Sequence, residues 1–443
     1  MNLPAYVEKA IEILNLNGYD AYAVGGCVRD EMLGITPGDY DVCTNALPEE
    51  IKKCFSDFRV ILTGEKHGTV TVIIDQPIEI TTFRTEGGYS DNRHPDSVSF
   101  VSDIETDLAR RDFTVNAMAY SHKAGVVDPF GGAKDLENRL IRCVGDPDKR
   151  FEEDSLRIMR ALRFASVYGF EIEEETARSA KKNAHLLSKV SVERLFSEMT
   201  KLLMGKHAHA VLKKFTDVVG VIIPEILPTV GFDQHTPHHH LDVWEHILAV
   251  VEYSSSERIM RWAALLHDLG KPESYVFGTD NKGHFPGHQD TGARIADTVL
   301  KRFRCDNATR LAVVSLIANH DLYFKGEKRD MQLVIHRLGK YTAGRVMEFR
   351  IYDSMAQAPD TVEQKVAEAT RGLRIFNEVV NEGLCCGIND LKIDGKALME
   401  LGVPEGKMIR NILETLLLAV IDGCCANEKE ALSRYVKENI RYN

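Results

Sequence analysis

AYAVGGCVRDEMLGITPGDYD, residues 21 to 41, joins an apolar run, a glycine pair, an Arg-Asp and two alternating carboxylates. Tyr22 and Val24 alternate as on a strand, and Gly25-Gly26 let the backbone turn sharply and approach a phosphate with only N–H groups in the way. Arg29 adds positive charge. Asp39 and Asp41 stand at i and i+2, so on a strand both carboxylates point to one face, as two hard oxygen ligands for paired Mg²⁺ should. That geometry suits in-line displacement at a phosphorus. Singly the pieces say little, since a glycine pair is usually a turn and D-x-D usually a solvated rim. Their order and closeness carry the reading.

The flanks supply a small mixed sheet. Residues 4 to 16 read as an amphipathic helix with Val7, Ile11 and Leu14 on one face, covering the sheet. Pro48 to Phe55 reads as a short helix, and Arg59–Leu62, Thr69–Ile74 and Ile78–Arg84 read as strands. Glu79 faces opposite to Ile78 and Ile80, and is either a third carboxylate for the metals or a solvent-facing strand residue. Thr85 to Ser97, rich in Gly, Asp, Asn and Pro, reads as a mobile loop. Asp107 to Tyr120 carries Arg110, Arg111, Asp112 and Asn116 beside a helical apolar set of Phe113, Met118 and Ala119. Asp128-Pro-Phe-Gly-Gly132 is a turn. Arg150 to Ala165 reads as one helix, with Asp154, Arg157 and Arg160 near one face and Leu156, Met159 and Leu162 on another. A solvated ion-pair helix would show that spacing too.

Two strings taken together, G-G-x-V-R-D followed by D-x-D and then R-R-D-F-T-x-N-A at residues 110 to 117, resemble the DNA polymerase β superfamily of nucleotidyltransferases. Within it the chain is similar to class II tRNA nucleotidyltransferases and bacterial poly(A) polymerases. The resemblance covers roughly residues 20 to 200 and implies an N-terminal head in which Asp39, Asp41 and Glu79 are catalytic with Mg²⁺, and Gly25, Gly26 and Arg29 bind phosphates. It implies that Arg111 contacts the nucleotide, and that Asp112 and Asn116 hold the local geometry or the ribose. The loop at 85–97 is tied in that family to the switch from adding C to adding A, and the 128–132 turn to a domain hinge. E-D-x-x-R at Glu153 to Arg157 then resembles the nucleotide-selecting helix, with Arg160 and Arg163 on the nucleotide's phosphates or placing the helix, and Ser191-Val-Glu193-Arg194 continues the likeness. Thr63-Gly-Glu-Lys-His-Gly-Thr-Val70 looks like the CCA-adding subgroup, which favours a tRNA substrate with CTP and ATP.

With 443 residues, two to four domains are expected. Hydrophobic content of 44% and charged content of 27% are those of a soluble globular chain; no ~18-residue apolar run and no signal-peptide order at Met1 to Leu16 lead to a cytoplasmic expectation. Nine cysteines without C-x-x-C suit reduced, mostly buried thiols. The net charge of −11 excludes wrapping nucleic acid by bulk electrostatics, so RNA contact must be local.

From about residue 205 strand signals vanish and the chain reads as helices. His246, His267-Asp268, His288, His320 and Asp353 follow the order of an HD-type metal phosphohydrolase domain, which implies one or two divalent cations, a second transition metal among them, at His246, His267, Asp268 and Asp353. Such domains also persist as scaffolds. His235, His238 and His239 read as loop residues, and residues 389 to 443 as two or three helices broken at Gly402 to Gly406.

The expected fold is α+β: a small mixed-sheet head (1–140), then an all-α neck (141–205), an HD-like body (206–380) and a helical tail (381–443). The expected function is completion of the tRNA 3′ CCA end by two-metal nucleotidyl transfer. The alternatives are an A-adding, CC-adding or poly(A)-adding enzyme, an HD phosphohydrolase whose N-terminal half recruits RNA, and a non-catalytic RNA-binding protein.

Overall fold

The computed structural model describes residues 1–64, 68–88, 97–236 and 240–441. These form two compact units, Met1–Pro224 and Glu225–Asn443.

The first unit opens with α1 (Ala5–Leu16), whose buried Val7, Ala10, Ile11 and Leu14 repeat at helical spacing and pack on β1 (Ala21–Val24) and β2 (Asp41–Thr44). Between these strands lies α2 (Gly26–Met32), and after them come α3 (Pro48–Cys54), β3 (Arg59–Gly64), β4 (Thr69–Ile73) and β5 (Pro77–Thr82). β6 (Arg84–Gly87) and β7 (Ser97–Phe100) form a separate antiparallel pair. The ends of the expected 85–97 loop are therefore strands, while residues 89–96 lie outside the described residues, as do 65–67 of the subgroup phrase. α4 (Ile104–Ala109), a 3-10 turn (Thr114–Asn116), β8 (Ala119–Ser121) and β9 (Gly125–Val127) complete the head, with α5 (Gly132–Glu137) after it. The helical set expected through 107–120 is thus mostly irregular chain and strand, because Phe113, Val115 and Ala117 to Ala119 are all buried and leave no solvent face for a helix.

The sheet runs β3-β4-β5-β2-β1-β8-β9, and only β2 and β5 are parallel. β10 (Leu140–Ile141) pairs with β11 (Glu171–Ile172), and around them stand α6 (Pro147–Glu153), α7 (Leu156–Tyr168), α8 (Glu174–Lys182), α9 (Val192–Met204), α10 (Ala208–Lys214) and α11 (Thr216–Ile222). The single helix expected over 150–165 is two. Asp154 is extended (φ −138°, ψ 100°), and the chain re-enters helix after Ser155, which lets each segment bury its own apolar side.

The second unit is helical apart from a two-strand hairpin, β12 (Val276–Phe277) with β13 (Gly283–His284), which the expectation of helices alone missed. Its helices are α12 (Val243–Tyr253), α13 (Arg258–Leu266), α14 (Lys271–Ser274), α15 (His288–Arg302), α16 (Asn307–Ala318), α17 (Lys328–Leu338), α18 (Lys340–Met355), α19 (Pro359–Asn381), α20 (Gly395–Glu400), α21 (Lys407–Ile421) and α22 (Lys429–Asn439). The last three pack through Leu398, Ile412, Leu416, Leu417, Leu432 and Val436. No helix among the described residues is long and apolar enough to cross a membrane. All nine cysteines are free thiols.

Candidate functional site

Strand pairing brings two of the head's carboxylates together. Val24, the last residue of β1, pairs with Asp41, the first of β2, and Asp41 pairs in parallel register with Glu79 of β5. Directly opposed residues share a face, so Asp41 and Glu79 project side by side next to the turn at Gly25. Asp39 lies before β2 begins, a correction to the picture of both aspartates on one strand, yet its charge still reaches Asp41. Asp41 is open to solvent at the rim but walled by protein elsewhere. This desolvation, with the charges of Asp39 and Glu79, lifts its carboxyl to about 6 against a smaller opposing pull from Arg111. Hard oxygen donors crowded with so little positive charge are a donor set that fits divalent cations.

Above them, Gly25 adopts φ +81°, ψ −127°, and a Cβ there would stand 2.8 Å from Arg111 Nη1. The glycine is required by its conformation, while the Arg111 tip could shift to relieve that contact. Arg111 Nε is buried and has no hydrogen-bond partner among the described residues, while its Nη2 lies 3.5 Å from Asp107 Oδ2. A Cβ at Gly26 would meet only Arg29 Nη2, at 3.5 Å.

Arg29 corrects the sequence reading. Instead of reaching out to a phosphate it is buried, donating to Asp30 Oδ1 (2.8 Å), Asn116 Oδ1 (2.5 Å) and the Tyr168 hydroxyl (2.6 Å), with its guanidinium 4.7 Å from the Tyr168 ring centroid. Asn116 Nδ2 passes the chain on to Asp112 Oδ1 (3.0 Å), and Asp112 Oδ2 accepts from Arg160 Nε (2.8 Å). Burial alone would raise the Asp112 carboxyl, but the charge of Arg160 and the bonds from Asn116 and Arg160 hold it down at about 2. A depressed carboxyl stabilises the fold above its ordinary pKa, so this contribution is full above pH ~4 and is lost as the pH falls toward 2. Asp112 and Asn116 are thus placed to hold α2 and α7 in register. Removing Arg160 would strand a buried carboxylate, at a cost of roughly 3 kcal/mol.

The two residues expected to select the base are held by different partners. Asp154 Oδ1 accepts from the Leu156 N–H (3.1 Å) and Oδ2 from Arg194 Nη2 (2.9 Å), whereas Arg157 donates to Glu153 Oε2 (2.7 Å) and to the backbone carbonyls of Arg150 and Arg110 (3.1 Å each). Arg163 lies 4.0 Å from the Phe164 ring centroid and 2.7 Å from Glu198 Oε2, a largely buried pair that ties α7 to α9, as the expected role in placing the helix requires.

In the second unit His246 (α12), His267-Asp268 (after α13), His288 (start of α15), His320 (after α16) and Asp353 (α18) converge. The sets His246, His267, Asp268 and Asp268, His288, His320 each bring one ligand atom apiece within 4.8 Å of one another. The Nδ1 atoms of His267, His288 and His320 lie 2.7–2.9 Å from backbone carbonyls, where only a protonated Nδ1 can bond, so their Nε2 lone pairs point inward. There Nε2 of His267 meets that of His246 at 3.3 Å, and His288 meets His320 at 3.3 Å. Facing lone pairs repel unless a cation or proton lies between them. Both Asp268 oxygens are buried without a well-directed hydrogen bond, with Lys271 Nζ 2.6 Å from Oδ2 as counter-ion. The residues fit a divalent metal. Burial would lower His267, but Asp268 and Asp353 override it and lift the imidazole to about 9, so without a metal a proton occupies Nε2 and a bound cation would displace it. The approach of α15 depends on two glycines. A Cβ at Gly270 would stand 2.3 Å from His288 O, and one at Gly292 2.7 Å from His267 O. His235 takes φ 48° beside this region, and His238 and His239 lie outside the described residues.

Sequence reasoning missed the partners. Lys271 in the run HDLGK and Glu153 four residues before Arg157 were legible by spacing. Tyr168 under Arg29 and Glu198 opposite Arg163 were not, since 139 and 35 residues of chain separate them.

The Poly A polymerase head domain model matches residues 21–142, an RNA-binding-site model of polymerase A matches 169–226, and the tRNA nucleotidyltransferase domain 2 model matches 290–436. A CCA-adding enzyme of Geobacillus thermodenitrificans is 35% identical over 97% of this chain and 96% of its own length. One from Ligilactobacillus salivarius is 48% identical over 49% of this chain and 54% of its own. The crystal structure of the Bacillus stearothermophilus CCA-adding enzyme in complex with CTP superposes with a TM-score of 0.72 at 31% identity, covering 99% and 98% of the two chains. With its fold and nearly its whole length shared with these relatives, the chain belongs to the family of CCA-adding enzymes, nucleotidyltransferases that use divalent metal ions.

Proposed function

We propose that the chain completes the 3′ CCA end of tRNA from CTP and ATP, releasing pyrophosphate. The observation that carries this is the register that sets Asp41 beside Glu79, with Asp39 adjacent and Arg111 closing over Gly25. Asp39, Asp41 and Glu79 would hold Mg²⁺, which supplies activation of the attacking hydroxyl and neutralisation of the departing pyrophosphate when bound. Arg111 and the N–H groups at Gly25-Gly26 would orient the triphosphate, and Asp154 with Arg157 would read the base. We keep the division into head, neck, body and tail as our reading of how these tasks are distributed within the two units.

The test is extension of tRNA transcripts ending at the discriminator base, at C and at CC, with each nucleotide supplied alone and in mixture. Two C additions from CTP and one A from ATP are expected. Failure to extend the discriminator transcript with CTP, or the CC transcript with ATP, would reduce the activity to A-only or CC-only addition.

The buried His/Asp cluster favours a second reading, a metal-dependent phosphohydrolase centre. Beside it lies a cavity of about 530 Å³ lined by Lys271, Lys282, Phe285, Gln289 and Gln357. His246, His267, Asp268 and Asp353, with His288 and His320, would hold one or two transition-metal ions. The double variant His267→Ala/Asp268→Ala is expected to lose bound Mn²⁺, Co²⁺ or Ni²⁺ and hydrolysis of phosphate esters, while CCA addition by the same preparation persists. A chelator-stripped wild type that takes up none of these ions would make the cluster purely structural.

A further inference from the structure

The acceptor and the donor assigned to base reading do not hold one another. Each is fixed by a different partner, and for Asp154 that partner comes from another helix. Asp154 sits at the break between α6 and α7, its N–H bonded to the Arg150 carbonyl (3.4 Å) and its carbonyl to the Arg157 N–H (2.9 Å), so the backbone is fixed while the side chain is held by its own partners. Two bonds define its carboxylate plane: the Leu156 N–H on Oδ1, and Arg194 Nη2 on Oδ2. The first comes from Asp154's own turn. The second comes from the first turn of α9, which packs along α7. The pair is partly buried, with side-chain exposures of 17% for Asp154 and 27% for Arg194, so solvent screens it less than a surface pair.

We infer that Arg194 is a specificity-determining positioning residue for the nucleotide-addition reaction, holding the Asp154 carboxylate in the orientation in which it accepts the exocyclic amino group of cytosine or adenine. The inference rests on the reading of Asp154 as a base-contacting group. A carboxylate offers about four lone-pair directions, of which Leu156 and Arg194 take two, leaving the others fixed in space for an amino donor. Selectivity against uracil and guanine requires that this acceptor stay where their carbonyls would lie. Held only by the Leu156 N–H, the carboxylate could swing aside, relieving the opposition to a wrong base while weakening the hold on a right one. Arg157 is tied to Glu153 and Arg160 to Asp112, so neither holds an Asp154 oxygen as Arg194 does.

The test is kcat/KM for all four nucleotides on a transcript ending at the discriminator base, for wild type, Arg194→Ala, Arg194→Lys, Asp154→Ala and the double variant, with thermal melts of each. For Arg194→Ala the inference predicts a ten- to hundredfold loss with CTP, the scale of a small misplacement of a reacting or reading group. UTP should lose much less, so that the CTP-over-UTP ratio falls. Arg194→Lys should recover part of that ratio, since an ammonium can hold one oxygen. Adding Arg194→Ala to Asp154→Ala should narrow the ratio no further, because both act through one carboxylate. If Asp154→Ala collapses the ratio while Arg194→Ala slows all nucleotides equally, Arg194 merely joins α9 to α7 and the positioning inference falls. If neither variant changes the ratio, base reading by Asp154 falls as well.

Discussion

Replacing Asp39 or Asp41 by alanine is expected to abolish incorporation of both CTP and ATP and to leave tRNA binding in place. The two nucleotides share one set of phosphate chemistry, so loss of a ligand must affect both alike, whereas a defect in base reading would separate them. The structure adds a diagnostic. Burial and the neighbouring charges of Asp39 and Glu79 raise the Asp41 carboxyl to about 6. A carboxyl raised in the folded state favours folding while protonated, and that stabilisation is lost as the pH rises through about 6. At pH 7.5 without divalent ions, ionised Asp41 therefore works against the fold. Asp41→Asn should melt at a higher temperature than the wild type under those conditions while being inactive, and millimolar Mg²⁺ should stabilise the wild type alone. Near-normal incorporation by either alanine variant would show that these carboxylates hold no catalytic metal.

The second large effect concerns choice of base. Asp154→Ala and Arg157→Ala should lose discrimination against UTP and GTP as well as rate. Asp154 only accepts and Arg157 only donates, so together they match the amino group and ring nitrogen shared by cytosine and adenine. Uracil and guanine set a carbonyl against the carboxylate, and rejection by a site built to hydrogen-bond can reach ~10⁴. Arg157 lies buried, bonded to Glu153 and to two backbone carbonyls, so Arg157→Ala should also lower thermal stability. Asp154→Ala, on the partly exposed break, gives the cleaner kinetic result. Measuring kcat/KM for the four nucleotides decides it, and an unchanged CTP-over-UTP preference in both variants would remove selection from these residues.

Much of the head was readable because its signals are local. Strand alternation around Ile78 and Ile80 put Glu79 on the face away from the core, and the glycine pair marked the turn that Gly25's positive φ requires. Through Phe113 to Ala119 the reading failed because burial on all sides had erased the periodicity. The helix expected through Phe113 to Ala119 is a 3-10 turn and a strand in the interior, and the expected 150–165 helix breaks at Asp154.

The sequence by itself marked the candidates for chemistry: carboxylates at i and i+2, the Arg-Arg-Asp string, and histidines spaced along apolar helices. What only the tertiary structure decided is which of them meet. Parallel pairing of β2 with β5 brings Glu79 to Asp41 across 38 residues. The packing of α7 and α9 gives Asp154 to Arg194 and Arg163 to Glu198, and the stacking of Tyr168 turns Arg29 inward. Close passage of Gly270 and Gly292 closes the histidine cluster. The reason is physical: periodicity along a chain specifies the face on which a side chain lies, while a partner tens of residues away is selected by strand register and helix packing, which no local pattern encodes.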